Sequence, residues 1–347
     1  MLPAGTRIGQ WVLESLLGEG GMSRVYKAHH ADDTLLVRAV KILNTTSANL
    51  RDRMIKEGEL QARLDHPNIV AVYDLLRPDD GSHPPTLILE YVNGPDLETL
   101  VEDRALSLTE IDQIAAGVFH AVGCAHEQGF VHRDLKPANI LFAVVDDDLL
   151  VPKLADFGLV KDLDGKSSTQ LGIALGTPRY MSPEQIQDSG SVDARSDVFS
   201  LGAVLSFMLT RKNPFGHGVD DVVEVFSAIM DVEIDAHLAD IESHRPDVPP
   251  RMLDAIRGAL TLDRDQRLPS VDDLEAVFTG RSPLADRLPA PADPAVPPDL
   301  GEVPTTPAPR PSSRGSSSDS VVLQVGVGIG ITVLVLLAVW GLANLLP

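Results

Sequence analysis

The sequence predicts an α+β architecture: a strand-rich N-terminal part, a helical remainder, and one further apolar helix near the C-terminus. Three observations carry this. Runs of β-branched and apolar residues recur at 11–17, 23–29, 34–43 and 86–92. Residues 50–64, and the stretch holding Phe119, Ala121, Val122, Cys124 and Ala125, read as helix. Residues 321–346 carry no formal charge.

Each element has a local reason. The strands at 11–17 and 23–29 flank Leu17-Gly18-Glu19-Gly20-Gly21-Met22-Ser23-Arg24-Val25-Tyr26, a Gly-rich turn. Glycines allow unusual dihedrals and close approach, so such a hairpin can fold its backbone over phosphates, although an ordinary turn is an equally common meaning of this composition. The strand at 34–43 places Lys41 between Val40 and Ile42, and a charge among apolar neighbours wants a partner. On the helix at 50–64, Met54, Glu57, Gln61 and Leu64 share one face, which turns Glu57 inward, whereas Glu59 falls on another. Residues 86–92 read as a buried strand running into the connector Asn93-Gly94-Pro95.

The chemistry-bearing string is His132-Arg133-Asp134-Leu135-Lys136-Pro137-Ala138-Asn139, followed by Asp156-Phe157-Gly158. Asp134 is a candidate proton acceptor. Asn139 and Asp156 offer hard oxygen donors, which suit Mg²⁺. Lys136, just past the acceptor, can lie against a phosphate as a point charge. Phosphoryl transfer needs this set, because the protein must place a hydroxyl in line and neutralise charge on the phosphate oxygens. Any one of these residues alone would be an ordinary solvated loop charge; the whole string removes that meaning.

The two stretches resemble the catalytic and magnesium loops of bacterial eukaryotic-like protein kinases, and a Lys after the Asp resembles the serine/threonine branch. The resemblance covers residues 8–279. It implies the bilobal protein kinase fold, with a small β-rich N-lobe at 8–92, a large helical C-lobe at 93–279, and ATP and Mg²⁺ as the groups bound. Gly18, Glu19, Gly20 and Gly21 would cover the phosphates, with Ser23 standing where the pattern has a third glycine. Val25 would contact adenine, Lys41 of Ala39-Val40-Lys41 would bind the α and β phosphates, and Glu57 would be its ion-pair partner. The backbone at Glu90 and Val92 would hydrogen-bond adenine, with Leu89 guarding the back pocket.

Further along, Gly176-Thr177-Pro178-Arg179-Tyr180-Met181-Ser182-Pro183-Glu184 resembles the segment that seats a substrate, with Ser-Pro-Glu in place of the commoner Ala-Pro-Glu. By the same resemblance Glu184 should pair with Arg267, and Asp197 should brace the catalytic-loop backbone. Ser167, Ser168 and Thr169 lie in the polar stretch after Gly158. A phosphate there would find the Arg133 guanidinium able to bind it bidentately, so activation by autophosphorylation is expected, at Thr169 first. Residues 144–149 make a hairpin longer than usual, with Asp146, Asp147 and Asp148 at its solvated tip.

The activity implied is transfer of the γ-phosphate of MgATP to Ser or Thr hydroxyls of protein substrates. Two alternatives compete: a pseudokinase scaffold, and a small-molecule phosphotransferase. Every chemically required position is filled, which disfavours the first. The 176–184 segment and the hydroxyl-rich loop disfavour the second.

At 347 residues and 44% apolar content the chain can bury a large core. Its net charge of −21 argues against nucleic acid as a partner and against electrostatic adhesion of the catalytic domain to anionic lipid. With Cys124 as the single cysteine no intramolecular disulfide is available, and a small buried hydrophobe is its expected role. The N-terminus lacks the charged-then-apolar plan of a signal peptide.

Residues 280–320, rich in Pro and Ser, read as a linker without regular structure. About 20 apolar residues span a bilayer, so 321–346 is expected to be a transmembrane helix. Arg310 and Arg314 flank it on the N-terminal side and no Lys or Arg follows. The positive-inside rule then gives a single-pass cell-membrane protein with its kinase domain in the cytoplasm and no room for an external domain. Gly326 and Gly330 form a small-xxx-small pair through which two copies could pack as a homodimer, although lipid-facing glycine is the commoner meaning of that spacing.

Overall fold

Alternation along the N-terminal strands decides what each face of the sheet does. The computed structural model describes residues 1–20, 23–43, 48–77, 83–145, 149–157, 178–187, 189–219 and 221–289, without the side chains of several residues in the first helix, Glu57 among them. Its first sheet has the antiparallel order β1-β2-β3-β4-β6-β5, built from β1 (Arg7–Ile8), β2 (Trp11–Glu19), β3 (Ser23–His30), β4 (Asp33–Leu43), β5 (Val72–Leu76) and β6 (Thr86–Leu89). Trp11, Leu13, Tyr26, Ala28, Val40, Ile42 and Ile88 point to one face and make a closed core. Their neighbours Ala39, Leu87 and Leu89 point to the other face, toward the rest of the molecule. Lys41 shares that second face by the same period of two.

Helix α1 (Ala48–Gln61) follows β4. The strand expected at 86–92 ends three residues early, at Leu89: Glu90 N–H still donates to the Ala71 carbonyl at 2.8 Å, but Ala71 N–H returns to the Glu90 carboxylate, at 3.3 Å, instead of to its backbone carbonyl. β1 and the edge strand β5 were not legible in the sequence, since β1 is two residues long and β5 interleaves Tyr73 and Asp74 with its apolar residues.

The helical part begins with α2 (Leu97–Asp103) and α3 (Leu108–Glu127), the second opened by a capping box between Ser107 and Glu110. The hairpin of β7 (Ile140–Val145) and β8 (Leu149–Leu154) precedes α4 (Pro183–Gln187), α5 (Ala194–Thr210), α6 (Val222–Met230), α7 (Ile234–His244), α8 (Pro250–Ala259) and α9 (Val271–Phe278). From Ser196 to Leu209 every residue of α5 is buried, the signature of a helix surrounded on all sides by its own domain. Asp193, Asp221 and Ser270 cap α5, α6 and α9 through their side chains, and each such cap stabilises its helix by about 1 kcal/mol. Cys124 is half-buried, against the expectation of full burial: it lies on the partly exposed side of α3, where Gln128 Nε2 reaches its Sγ at 3.7 Å.

The two parts meet along the loop before β5. Val70 N–H donates to Leu154 O at 2.9 Å and Leu154 N–H to Asn68 O at 2.8 Å, so β8 is extended by a short bridge from the small lobe. Among the described residues no helix is long and apolar enough to cross a membrane; the segment 321–346, on which that expectation falls, lies outside them, as does the linker from 290 on.

Candidate active site

Between the lobes, Ala39 of β4 and Leu89 of β6 are buried with Val25, Val92, Leu141 and Ala155 packed against them. Three chain regions thus line one apolar slot, which suits a flat aromatic ring. Val25, Leu89 and Val92 were legible in the sequence. Leu141 and Ala155 were not, and the signal that could have found them is their place next to Asn139 and Asp156. The Gly-rich hairpin sits at the end of the slot. Gly18 faces Val25 across the ladder, Gly20 N–H donates to Ser23 O at 2.9 Å, and Glu19 pairs with Arg24 at 2.8 Å. A Cβ on Gly18 would meet nothing within 4 Å, so open space lies beside its backbone. Gly21 lies outside the described residues.

The catalytic-loop residues come together. Asp134 accepts from Lys136 Nζ at 3.0 Å and from Asn139 Nδ2 at 3.2 Å; that same amide nitrogen donates to the Asp134 carbonyl at 2.7 Å. With its nitrogen so engaged, the Asn139 side chain presents Oδ1 as its cation-binding atom. Ala155 N–H donates to Asn139 O at 2.9 Å, which fixes the start of Asp156-Phe157 beside it. Across the slot, Lys41 Nζ binds Asp156 Oδ1 at 2.7 Å. The positive charge of Lys41 holds the Asp156 carboxyl below its ordinary range against the opposing effect of burial. Glu57, the expected partner of Lys41, lies outside the described side chains. The donor set, an amide oxygen and an ionised carboxylate on adjoining backbone, fits a hard divalent cation.

The loop owes its shape to α5. Arg133 takes φ +66°, and Asp156 φ +56°, a left-handed conformation that costs a non-glycine residue about 1–3 kcal/mol unless its surroundings enforce it. Asp197, fully buried on α5, accepts from Arg133 N–H at 2.9 Å, His132 N–H at 2.7 Å and His126 Nε2 at 2.8 Å. Asp197 thus contacts the loop backbone, on which its bracing role was expected, at two N–H groups, and His126 on α3 is a third donor that the sequence did not reveal. Glu184 meets Arg267 as expected, through two parallel contacts of 2.7 and 3.1 Å. Burial would raise the Glu184 carboxyl, but Arg267 and the Ser196 hydroxyl overcome it and hold it low. Arg179 binds the carbonyls of Phe215, Gly216 and Val219, tying its own segment to the loop before α6. At the connector, Glu90 pairs with Lys153 at 2.7 Å, a contact across 63 residues of sequence. Ser167, Ser168 and Thr169 lie outside the described residues.

His132 is fully buried, and burial lowers its pKa. Asp134 N–H donates to its Nδ1 at 3.2 Å, so the proton sits on Nε2 and is donated to Ala155 O at 3.0 Å. The folded state thus resists protonating a ring that the unfolded chain protonates below about pH 6.5. The stabilisation is complete above that pH and is lost as pH falls below it. A His132→Asn chain should therefore show a smaller drop in melting temperature than the wild type between about pH 7.5 and 5.5, a window above that in which Glu184 and Asp156 titrate. Equal drops would exclude the buried neutral imidazole.

A twisted antiparallel sheet over a helical lobe, with a Gly-rich hairpin, an apolar slot and a carboxylate beside hard oxygen donors between them, is the two-lobed protein kinase fold. The chain belongs to the protein kinase domain family, whose profile matches residues 11–278. It is 40% identical over 215 residues to a probable serine/threonine-protein kinase of Corynebacterium efficiens, covering 59% of this chain and 31% of that one. It is 38% identical over 213 residues to the serine/threonine-protein kinase PknB of Mycobacterium leprae, covering 59% and 33%. The chain thus spans about a third of the length of these curated relatives. The crystal structure of the Mycobacterium tuberculosis PknI kinase domain superposes with a TM-score of 0.60 at 24% identity over 81% of this chain and 100% of that domain, a likeness of fold.

Proposed function

We propose that this chain is a serine/threonine protein kinase that transfers the γ-phosphate of MgATP to Ser or Thr hydroxyls of proteins, its own activation loop included. The observation that carries this is the meeting of Asp134, Lys136 and Asn139 with Asp156 and Lys41 around one slot. In this reading Asp134 takes the hydroxyl proton, Lys136 lies against the γ-phosphate, and Lys41 moves from Asp156 to the α and β phosphates. Gly18, Glu19, Gly20 and Gly21 cover the phosphates, and the backbone of Glu90 and Val92 holds adenine. Asn139 and Asp156 would hold Mg²⁺, which when bound supplies charge neutralisation at the phosphate oxygens. Arg133 would receive the phosphate of the activation loop.

The catalytic unit is taken as 8–279, joined through 280–320 to a membrane helix at 321–346 that keeps it at the cytoplasmic face of the cell membrane. The uncharged 321–346 stretch and the flanking Arg310 and Arg314 support that anchoring, and Gly326 with Gly330 supports a homodimer. Purified chain incubated with MgATP should acquire phosphate on Ser and Thr, including Ser167, Ser168 or Thr169, as mapped by mass spectrometry. A Lys41→Met chain should acquire none. If the wild type labels neither itself nor a generic basic protein, the scaffold alternative takes its place.

A further inference from the structure

The Arg133 backbone is held on both sides. Its N–H is bound by Asp197 at 2.9 Å, and its carbonyl accepts from Gln185 Nε2 at 2.8 Å. Gln185 is buried at the end of a second contact, since its Oε1 accepts from Ser182 N–H at 3.0 Å and Ser182 Oγ at 3.3 Å. Ser182 N–H can only donate and the Arg133 carbonyl can only accept, so the amide orientation follows from its partners. The contact with Ser182 is half of a capping box for α4, and a Glu would serve it as well as a Gln. The contact with the Arg133 carbonyl requires a donor. Among side chains of this length, only an amide accepts from one backbone while donating to another at neutral pH.

We propose that Gln185 is a positioning residue that locks the catalytic-loop backbone at Arg133, and with it Asp134, to the segment that seats the polypeptide substrate. This rests on the kinase reading of the site. The left-handed Arg133 needs external enforcement, and Asp197 supplies it only from the α5 side. Gln185 supplies it from the substrate side, one residue before the carboxylate that must meet the incoming hydroxyl. Tyr180 and Met181, on the same segment as Ser182, line a small cavity with Asp134, Lys136 and Gln185. A shift of the seating segment therefore reaches Asp134 directly through the amide.

The test uses the full chain, ATP and myelin basic protein as phosphoacceptor, comparing Gln185→Glu with the similarly long Gln185→Met. Misplacement of a reacting group by about 1 Å costs on the order of a hundredfold, so kcat should fall about tenfold or more in both variants at about pH 7.5. KM for ATP should stay within about twofold, because no nucleotide contact is touched. A glutamate here donates to the Arg133 carbonyl only when protonated. Among the described residues the charged groups around it are Arg133, Asp134 and Lys136 from the loop and Glu184 from its own helix, the last turned to Arg267. The ratio of Gln185→Glu to wild-type kcat should thus rise as pH falls from about 7.5 to 5.5, while the Gln185→Met ratio stays flat. The proposal is overturned if both variants retain wild-type kcat, if the two ratios follow the same pH course, or if neither variant folds at any pH. A wild-type chain that transfers no phosphate would instead overturn the kinase reading.

Discussion

Asp134→Asn is expected to lower the rate of phosphoryl transfer by about 10²–10⁴-fold, the range over which a positioned general base contributes. The substitution keeps the shape and the contacts that do not need charge. Lys136 Nζ at 3.0 Å and Asn139 Nδ2 at 3.2 Å can still find the remaining carbonyl oxygen. What disappears is the group able to take the proton from the alcohol. Binding of ATP should survive, since the proposed reading seats adenine on the slot of Val25, Ala39, Leu89, Val92 and Leu141 and not on Asp134. Initial rates with purified protein, alongside nucleotide affinity by calorimetry, separate the two. Transfer at the wild-type rate would remove Asp134 from the chemistry.

Arg267→Met should destabilise the large lobe by about 3–5 kcal/mol while altering nucleotide affinity little. Arg267 has no exposed surface, and its guanidinium lies 5.0 Å from the centre of the Phe199 ring. Besides the two contacts to Glu184, it donates to the carbonyls of Thr261 at 2.9 Å, Arg195 at 2.8 Å and Leu262 at 3.2 Å. Methionine fills the volume but leaves Glu184 buried beside carbonyls that have lost their donor. Adding Glu184→Gln to Arg267→Met should recover part of the loss, because the unpaired charge is the costliest element left behind. Denaturant unfolding of the two chains decides this. If the double variant is no more stable than the single one, the cost lies in the orphaned carbonyls instead.

The sequence made certain parts legible because their partners sit nearby in the chain or recur at fixed spacing. Asp134, Lys136 and Asn139 fall within one short string, and their mutual contacts span two to five residues. The face of β4 that carries Lys41 follows from the period of two. Gln185 stood in the same stretch as Glu184, yet its part in the site stayed invisible, because a Gln after Glu in a helical turn reads as an ordinary solvated residue until its partner 52 residues away is known. His126 was hidden for the same reason, since its partner Asp197 lies 71 residues off.

What the amino-acid order determined by itself was the inventory: a proton acceptor, a hard oxygen pair, a cation in an apolar strand, glycines at a hairpin tip, and an uncharged stretch long enough for a bilayer. Only the folded chain decided which of these groups meet. Lys41 reached Asp156 across 115 residues, and β8 closed against the loop before β5. The physical reason is that local pattern fixes which way a side chain faces. Which partner it meets is fixed by burying two lobes' apolar surfaces together, a sum over the whole core that no single segment contains.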